Sequence, residues 1–104
     1  MDENNVYCDT LIELTTPGEV LKEDFLDAMG VITYELAKSI DVDPMRISRI
    51  INGTRKITAD TAIRLSRFFG TSAEFWINLQ SLYDLDIARE KHQEEYNKIH
   101  PKAS

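Results

Sequence analysis

The sequence predicts an all-α fold of five helices with an additional C-terminal helix, and three observations predict it. Apolar residues recur at spacings of three and four, capping residues open successive segments, and glycines close them. Residues 6–14 alone leave helix and strand indistinguishable by pattern. A chain of 104 residues has room for one core and one binding surface, which excludes a multi-domain enzyme.

The first helix is expected over residues 17–29. Thr16 offers a cap hydroxyl, Pro17 occupies a position whose missing N–H costs nothing, and Glu19 can return a bond to the cap. Leu21, Phe25 and Met29 make its apolar face, and Gly30 stops it. The second helix, 33–40, places Leu36, Ala37 and Ile40 on one side. Asp41, Val42 and Asp43 interrupt it, because Pro44 pushes Asp43 out of the helical region while Asp43 caps the third helix. That third helix, 44–51, buries Ile47, Ile50 and Ile51 and ends at Asn52 and Gly53.

Thr58 is expected to cap a fourth helix, 59–69, with Ala62, Leu65 and Phe69 inward and Gly70 at its end. Thr71 and Glu74 have the spacing of a second capping box and open the fifth. That helix carries two stripes, Phe75/Leu79/Leu82 and Trp76/Tyr83/Ile87, wider together than one small core requires. The second stripe is therefore expected to meet another copy of the chain, although Trp76 can equally complete the core. Leu85, Ala88, His92, Tyr96 and Ile99 continue the helical spacing as a thin amphipathic helix. The expected organisation is an acidic arm over 1–16, a main domain over 17–83 and a C-terminal helix and tail over 84–104.

The formal charge of −6 argues against a polyanionic partner only until it is divided along the chain. Residues 1–35 carry −8, residues 36–70 carry +4 and residues 71–104 carry −2. An acidic flank beside a basic centre suggests two partners of opposite sign. The single Cys8 allows no internal disulfide, which suits a reducing, cytoplasmic setting. No apolar run approaches a membrane span, and Asp2, Glu3 and Asp9 stand where a signal peptide would be basic.

Two short helices joined by a tight turn form a helix-turn-helix, whose second helix can lie in a DNA major groove. Ala37 is small enough for the helices to approach, and Val42 plugs the turn. Met45, Arg46, Ser48 and Arg49 fall on the early part of the recognition helix, with Asn52, Thr54, Arg55 and Lys56 at its end and in the following loop. Arg46 is the best candidate to read a base, since a guanidinium can bind guanine O6 and N7 together, and Met45 can touch a thymine methyl. Arg49 suits a base or a phosphate, and Thr33 suits a cap and a phosphate contact. The alternative for Arg46 and Arg49 is a surface ion pair with a local acid such as Asp43 or Asp60.

The runs PGEVLKEDFL, YELAKSI and RISRIINGTRKITADTAIRLSRFFGTSAEFWINLQSLYDL resemble the HigA (VapI-like) antitoxins, a branch of the phage-repressor-like helix-turn-helix proteins. The likeness covers residues 17 to about 90. It implies a homodimer that binds palindromes in its own promoter and neutralises a basic, ribosome-dependent mRNA endonuclease, the toxin. Asp41 stands where the family has a turn glycine, and Ile32 and Thr33 stand where Ser and Gln are common. Given such a basic partner, the acids Glu19, Glu23, Asp24 and Asp27 become the expected toxin-binding face, with the acidic arm beside them.

The remaining candidates point away from chemistry. The carboxylate pairs Asp84/Asp86, Glu94/Glu95 and Asp41/Asp43 have no base or nucleophile beside them. His92 and His100 lack ligand spacing, so no metal, cofactor or small-molecule ligand is expected. Two rivals to the antitoxin reading remain: a stand-alone repressor without a toxin, and a protein-interaction adaptor that no longer touches DNA. The acidic flanks favour the adaptor, whereas the cluster of Arg46, Arg49, Arg55 and Lys56 opposes it. An enzyme is the weakest reading.

Overall fold

The computed structural model describes residues 15–102, which form five helices with no strand among them. Residues 6–14 and most of the acidic arm lie outside the described residues. The first helix, α1, begins as an α-helical turn over Pro17–Glu19 and continues as a π-helix over Val20–Asp27. The capping box forms as expected. Glu19 N–H donates to Thr16 Oγ1 at 3.0 Å, and Thr16 N–H donates to Glu19 Oε1 at 2.9 Å.

The π winding corrects the expected face. With the chain bonded to the fifth residue instead of the fourth, side chains five apart stack. Leu21 and Leu26 are therefore the buried pair, and Met29 is 56% exposed. Lys22 Nζ reaches both carboxylate oxygens of Asp27 at 3.0 Å across the same five-residue step.

Next come α2, Thr33–Ser39, and α3, Pro44–Ile51, joined by the turn at Asp41. The N-cap of α2 is Ile32 and has no side-chain bond, so Thr33 does not act as a cap. Helix α4, Ala59–Phe69, ends on Gly70 in the left-handed region. Its N-cap Thr58 makes no cap bond. The cap of α5, Ala73–Asn97, is Ser72, whose Oγ accepts from Phe75 N–H at 3.1 Å. Thr71 is thereby freed to satisfy a different donor, and its Oγ1 accepts from the Trp76 indole N–H at 2.7 Å. The helix expected after residue 84 is the distal part of α5, with a single non-helical residue at His92. Nothing between Ala73 and Asn97 is glycine or proline, so no breaker interrupts it.

The core gathers Leu21 and Leu26, Leu36, Ala37 and Ile40, Ile47 and Ile50, Ile57, Ala62 and Leu65, and Trp76. Phe25 lies 4.9 Å from Trp76 and 5.0 Å from Phe69 between ring centroids, tying α1 to both α4 and α5. These tilted contacts suit the quadrupoles of the rings. Trp76 is 0% exposed with its N–H satisfied, which withdraws it from the expected dimer surface. Its rotation fixes that of α5, and Leu79 of the other stripe packs against the core beside it. Tyr83 and Ile87 turn half inward while Leu82 is 60% and Leu85 47% exposed.

Helix α1 meets α3 at Gly18, which is buried. A Cβ there would stand 2.0 Å from the Ile50 carbonyl oxygen and 2.8 Å from Ile51 Cα. Both obstacles are backbone, so no rotamer change relieves them. Gly18→Ala is expected to lift α1 from α3 at a cost of about 1–3 kcal/mol, the range for overpacking. Thermal unfolding checks this, since roughly 4–8 °C of melting temperature accompanies each kcal/mol in a chain of this size. An unchanged melting temperature contradicts the contact.

Candidate nucleic-acid interface

The turn between α2 and α3 is built from a residue in an unfavourable conformation. Asp41 has φ 60°, the region that suits glycine. The helix end supports it: Val42 N–H donates to Ala37 O at 3.0 Å and Asp41 N–H donates to Lys38 O at 3.3 Å. These are the two bonds of a Schellman end, which requires a left-handed residue at this point. Val42 is half-buried against the core, as the turn plug should be. Arg64 of α4 adds a brace, donating from Nη1 to the carbonyl of Ile40 at 2.8 Å. Asp43 Oδ1 then accepts from Met45 N–H at 2.8 Å and starts α3.

On α3 the helical period separates two faces. Ile47 and Ile50 are buried, while Met45, Ser48, Arg49 and Asn52, at relative positions zero, three, four and seven, are all exposed. Arg46 precedes Ile50 by one turn and so flanks the buried face. Its Nη1 donates to Asp60 Oδ2 at 2.9 Å and approaches Thr61 Oγ1 at 3.5 Å, with only 27% of the side chain exposed. Arg46, expected to be the foremost base reader, has its Nη1 engaged by Asp60 in the single chain. The structure places it in the ion pair that was its alternative, and the outward guanidinium on α3 belongs to Arg49.

Asp60 serves a second cation as well, accepting from Arg64 Nε at 3.0 Å through the same oxygen. Arg46 first, and then Arg64, hold its carboxyl below the ordinary aspartate range. A depressed value means that the stabilising contribution is complete above the ordinary value and is lost as pH falls through the lowered one. The carboxylate is therefore charged throughout the neutral range.

The segment after α3 is shaped by its own backbone. Gly53, at φ 86°, lets Thr54 N–H reach back to Arg49 O at 2.9 Å. Asn52 Oδ1 accepts from both the N–H and the hydroxyl of Thr54, at 3.1 and 2.7 Å. The Asn52 side-chain carbonyl is thus occupied by the turn. The other end of the loop is pinned by Gln80 of α5, whose Oε1 accepts from Ile57 N–H at 2.9 Å. Gln80 Nε2 donates to Asp84 Oδ1 at 3.1 Å, and Asp84 Oδ2 takes Lys56 Nζ at 3.4 Å. Arg55 is exposed beside them. Sequence reading missed Gln80 and Arg64 altogether, because their bonds span 23 and 24 residues and no local pattern announces them.

The basic surface and the acidic one are on different helices. Glu19, Glu23, Asp24 and Asp27 are all exposed on α1. Glu19 is engaged in the capping box and Asp27 with Lys22, so Glu23 and Asp24 are the acids without those duties. Among the described residues, no group of three or more His, Cys, Asp or Glu is placed to hold a metal, and no helix is long and apolar enough to cross a membrane.

A helix-turn-helix family model matches residues 27–76. Virulence-associated protein I of Dichelobacter nodosus is 48% identical over 77 residues, covering 74% of this chain and 71% of that protein. Antitoxin HigA-1 of Vibrio cholerae is 39% identical over 84 residues, 81% of this chain and 79% of its own. The structure of Pseudomonas aeruginosa antitoxin HigA with the higBA promoter superposes with a TM-score of 0.82 at 37% identity, covering 88% of this chain and 100% of that one.

Proposed function

The chain belongs to the HigA-like antitoxins of the helix-turn-helix family, and from that membership and the outward face of α3 we propose that it represses its own promoter as a homodimer and neutralises a basic ribonuclease toxin. The observation that carries the DNA reading is the sorting of α3. Its apolar side chains turn into the core, and Met45, Ser48 and Arg49 turn out beside Thr54, Arg55 and Lys56. Arg49 and Met45 suit base edges, and Ser48 can serve either a base or a phosphate. Thr33, Thr54, Arg55 and Lys56 suit phosphates. Its Nη1 already bonded to Asp60, Arg46 approaches DNA from the margin of the helix, and Asn52 acts mainly by shaping the loop. The activity is binding alone.

A palindromic operator needs two recognition helices about 34 Å apart. Helix α5 supports the pairing. Its 25 residues extend about 37 Å, and residues 89–102 are all exposed in the single chain. Leu82 and Leu85, with the half-buried Tyr83 and Ile87, supply the apolar surface of the proposed interface.

Titration of a duplex from the gene's own promoter tests this reading. Arg49→Ala is expected to lose roughly 1–3 kcal/mol on that duplex and relax preference at one base, whereas Arg55→Ala weakens all sequences alike and lowers the salt slope by about 0.9. Leu82→Glu with Leu85→Glu should sediment as a monomer and bind one half-site only. If Arg49→Ala and Arg55→Ala act identically on promoter and shuffled duplexes, α3 is not the reading helix.

The exposed acids of α1 support the placement of the toxin, since opposite charges speed capture and leave the α3 side open to DNA. Glu23→Lys with Asp24→Lys is expected to slow association with the proposed basic ribonuclease toxin several-fold at low salt, with promoter binding unaltered. An unchanged association rate moves the toxin to another surface.

A further inference from the structure

The ion pair of Arg46 and Asp60 is one link of a chain of contacts that runs from the helix-turn-helix turn to the recognition helix. Arg64 donates from Nη1 to Ile40 O at 2.8 Å and approaches Asp41 O at 3.4 Å, so its guanidinium is fixed by the end of α2. Its Nε holds Asp60 Oδ2 at 3.0 Å, and that oxygen holds Arg46 Nη1 at 2.9 Å. The carboxylate is anchored from one side and grips from the other. It is nonetheless 58% exposed, in the first turn of α4.

Non-specific DNA affinity is set by how many cations reach phosphates, and specific affinity by where each polar group points. A carboxylate 2.9 Å from a guanidinium acts on these two in opposite ways. Shared with Arg64, it offsets part of the attraction that Arg46 would exert on any phosphate, and it favours the rotamer in which Nη1 stays on Asp60. With Nη1 on Asp60, the rest of the guanidinium is left for DNA at the margin of α3.

We propose that Asp60 is a specificity-determining positioning residue: it withholds Arg46 from indiscriminate phosphate contact and presents it in a single orientation that is productive only when α3 is seated on its own operator. This rests on the reading of α3 as the recognition helix. Asp60 itself touches no DNA and acts through Arg46, braced by Arg64.

The test compares the gene's promoter duplex with a shuffled duplex of the same composition, over a range of salt, using the full chain. Asp60→Asn keeps the shape and removes the charge. The shuffled duplex is expected to bind several-fold tighter with a salt slope steeper by about 0.9, one additional phosphate contact. The promoter duplex gains less, so the ratio of the two affinities falls several-fold. Asp60→Glu, which retains the charge, should restore the ratio, and in an Arg46→Gln background Asp60→Asn should leave it unaltered. A merely structural role would weaken both duplexes together and leave their ratio where it was. That result overturns the proposal, as does an unchanged salt slope. If the unsubstituted chain itself fails to distinguish the two duplexes, the reading of α3 falls and this proposal with it, whereas discrimination indifferent to Asp60→Asn refutes the proposal alone.

Discussion

The contact on which the rest of the molecule depends is the meeting of two backbones at Gly18. Where a Cβ would be, 2.0 Å away, stands the Ile50 carbonyl oxygen. This approach sets the depth at which the end of α3 lies on α1, and with it which side chains of α3 are committed to packing. Ile47 and Ile50 go inward, and Met45, Ser48 and Arg49 go outward. The capping box at Thr16 and Glu19 fixes the start of α1 just where the contact is made. A local capping signal and a long-range packing demand thus converge on four consecutive residues, Thr16 to Glu19.

Around that contact, cations and carboxylates are paired by helix. The flanks of the basic surface are each tied to a neighbouring element: Arg46 to α4 through Asp60, and Lys56 to α5 through Asp84. Arg49 and Arg55 lie between these ties and are exposed. The exposed pair of Lys56 and Asp84, at 3.4 Å, adds little to stability. Its value is positional, because Gln80 holds both Asp84 and the Ile57 N–H and so couples the loop to α5. Since α5 also carries the proposed dimer surface, one helix governs both the separation of the two recognition helices and the posture of the loop beside each.

The helix order and most boundaries were legible in the sequence, because caps and stops are local. Thr16 with Glu19, Asp43 and Gly70 each act at the positions their local pattern predicts. Asp41 adopts the left-handed backbone that its place in the turn demands. The features that stayed hidden depend on winding and rotation. A spacing of four suggests one face for α1, but the π segment makes Leu21 and Leu26 partners and leaves Met29 outside. Two equally apolar stripes on α5 give no means of deciding which faces inward until Trp76 is placed against Phe25 and Thr71. Ser72 replaces Thr71 as the cap for the same reason: the threonine hydroxyl has a buried indole to satisfy. The candidate site was legible as a set of residues and not as a set of roles. Arg46 and Arg49 are equivalent in composition and differ only in that one shares a face with Ile50.

The outward face of α3 and the loop after it are where DNA should be met, and the roles of Arg49, Arg55 and Asp60 in DNA recognition depend on that placement. The most direct measurement is amide chemical-shift mapping of the labelled chain as the promoter duplex is added. The largest changes are expected on Met45, Ser48 and Arg49 and on residues 54–56, with a smaller response at Thr33 and none along the exposed face of α1. Changes concentrated on Glu23, Asp24 and Asp27, with α3 silent, would contradict it.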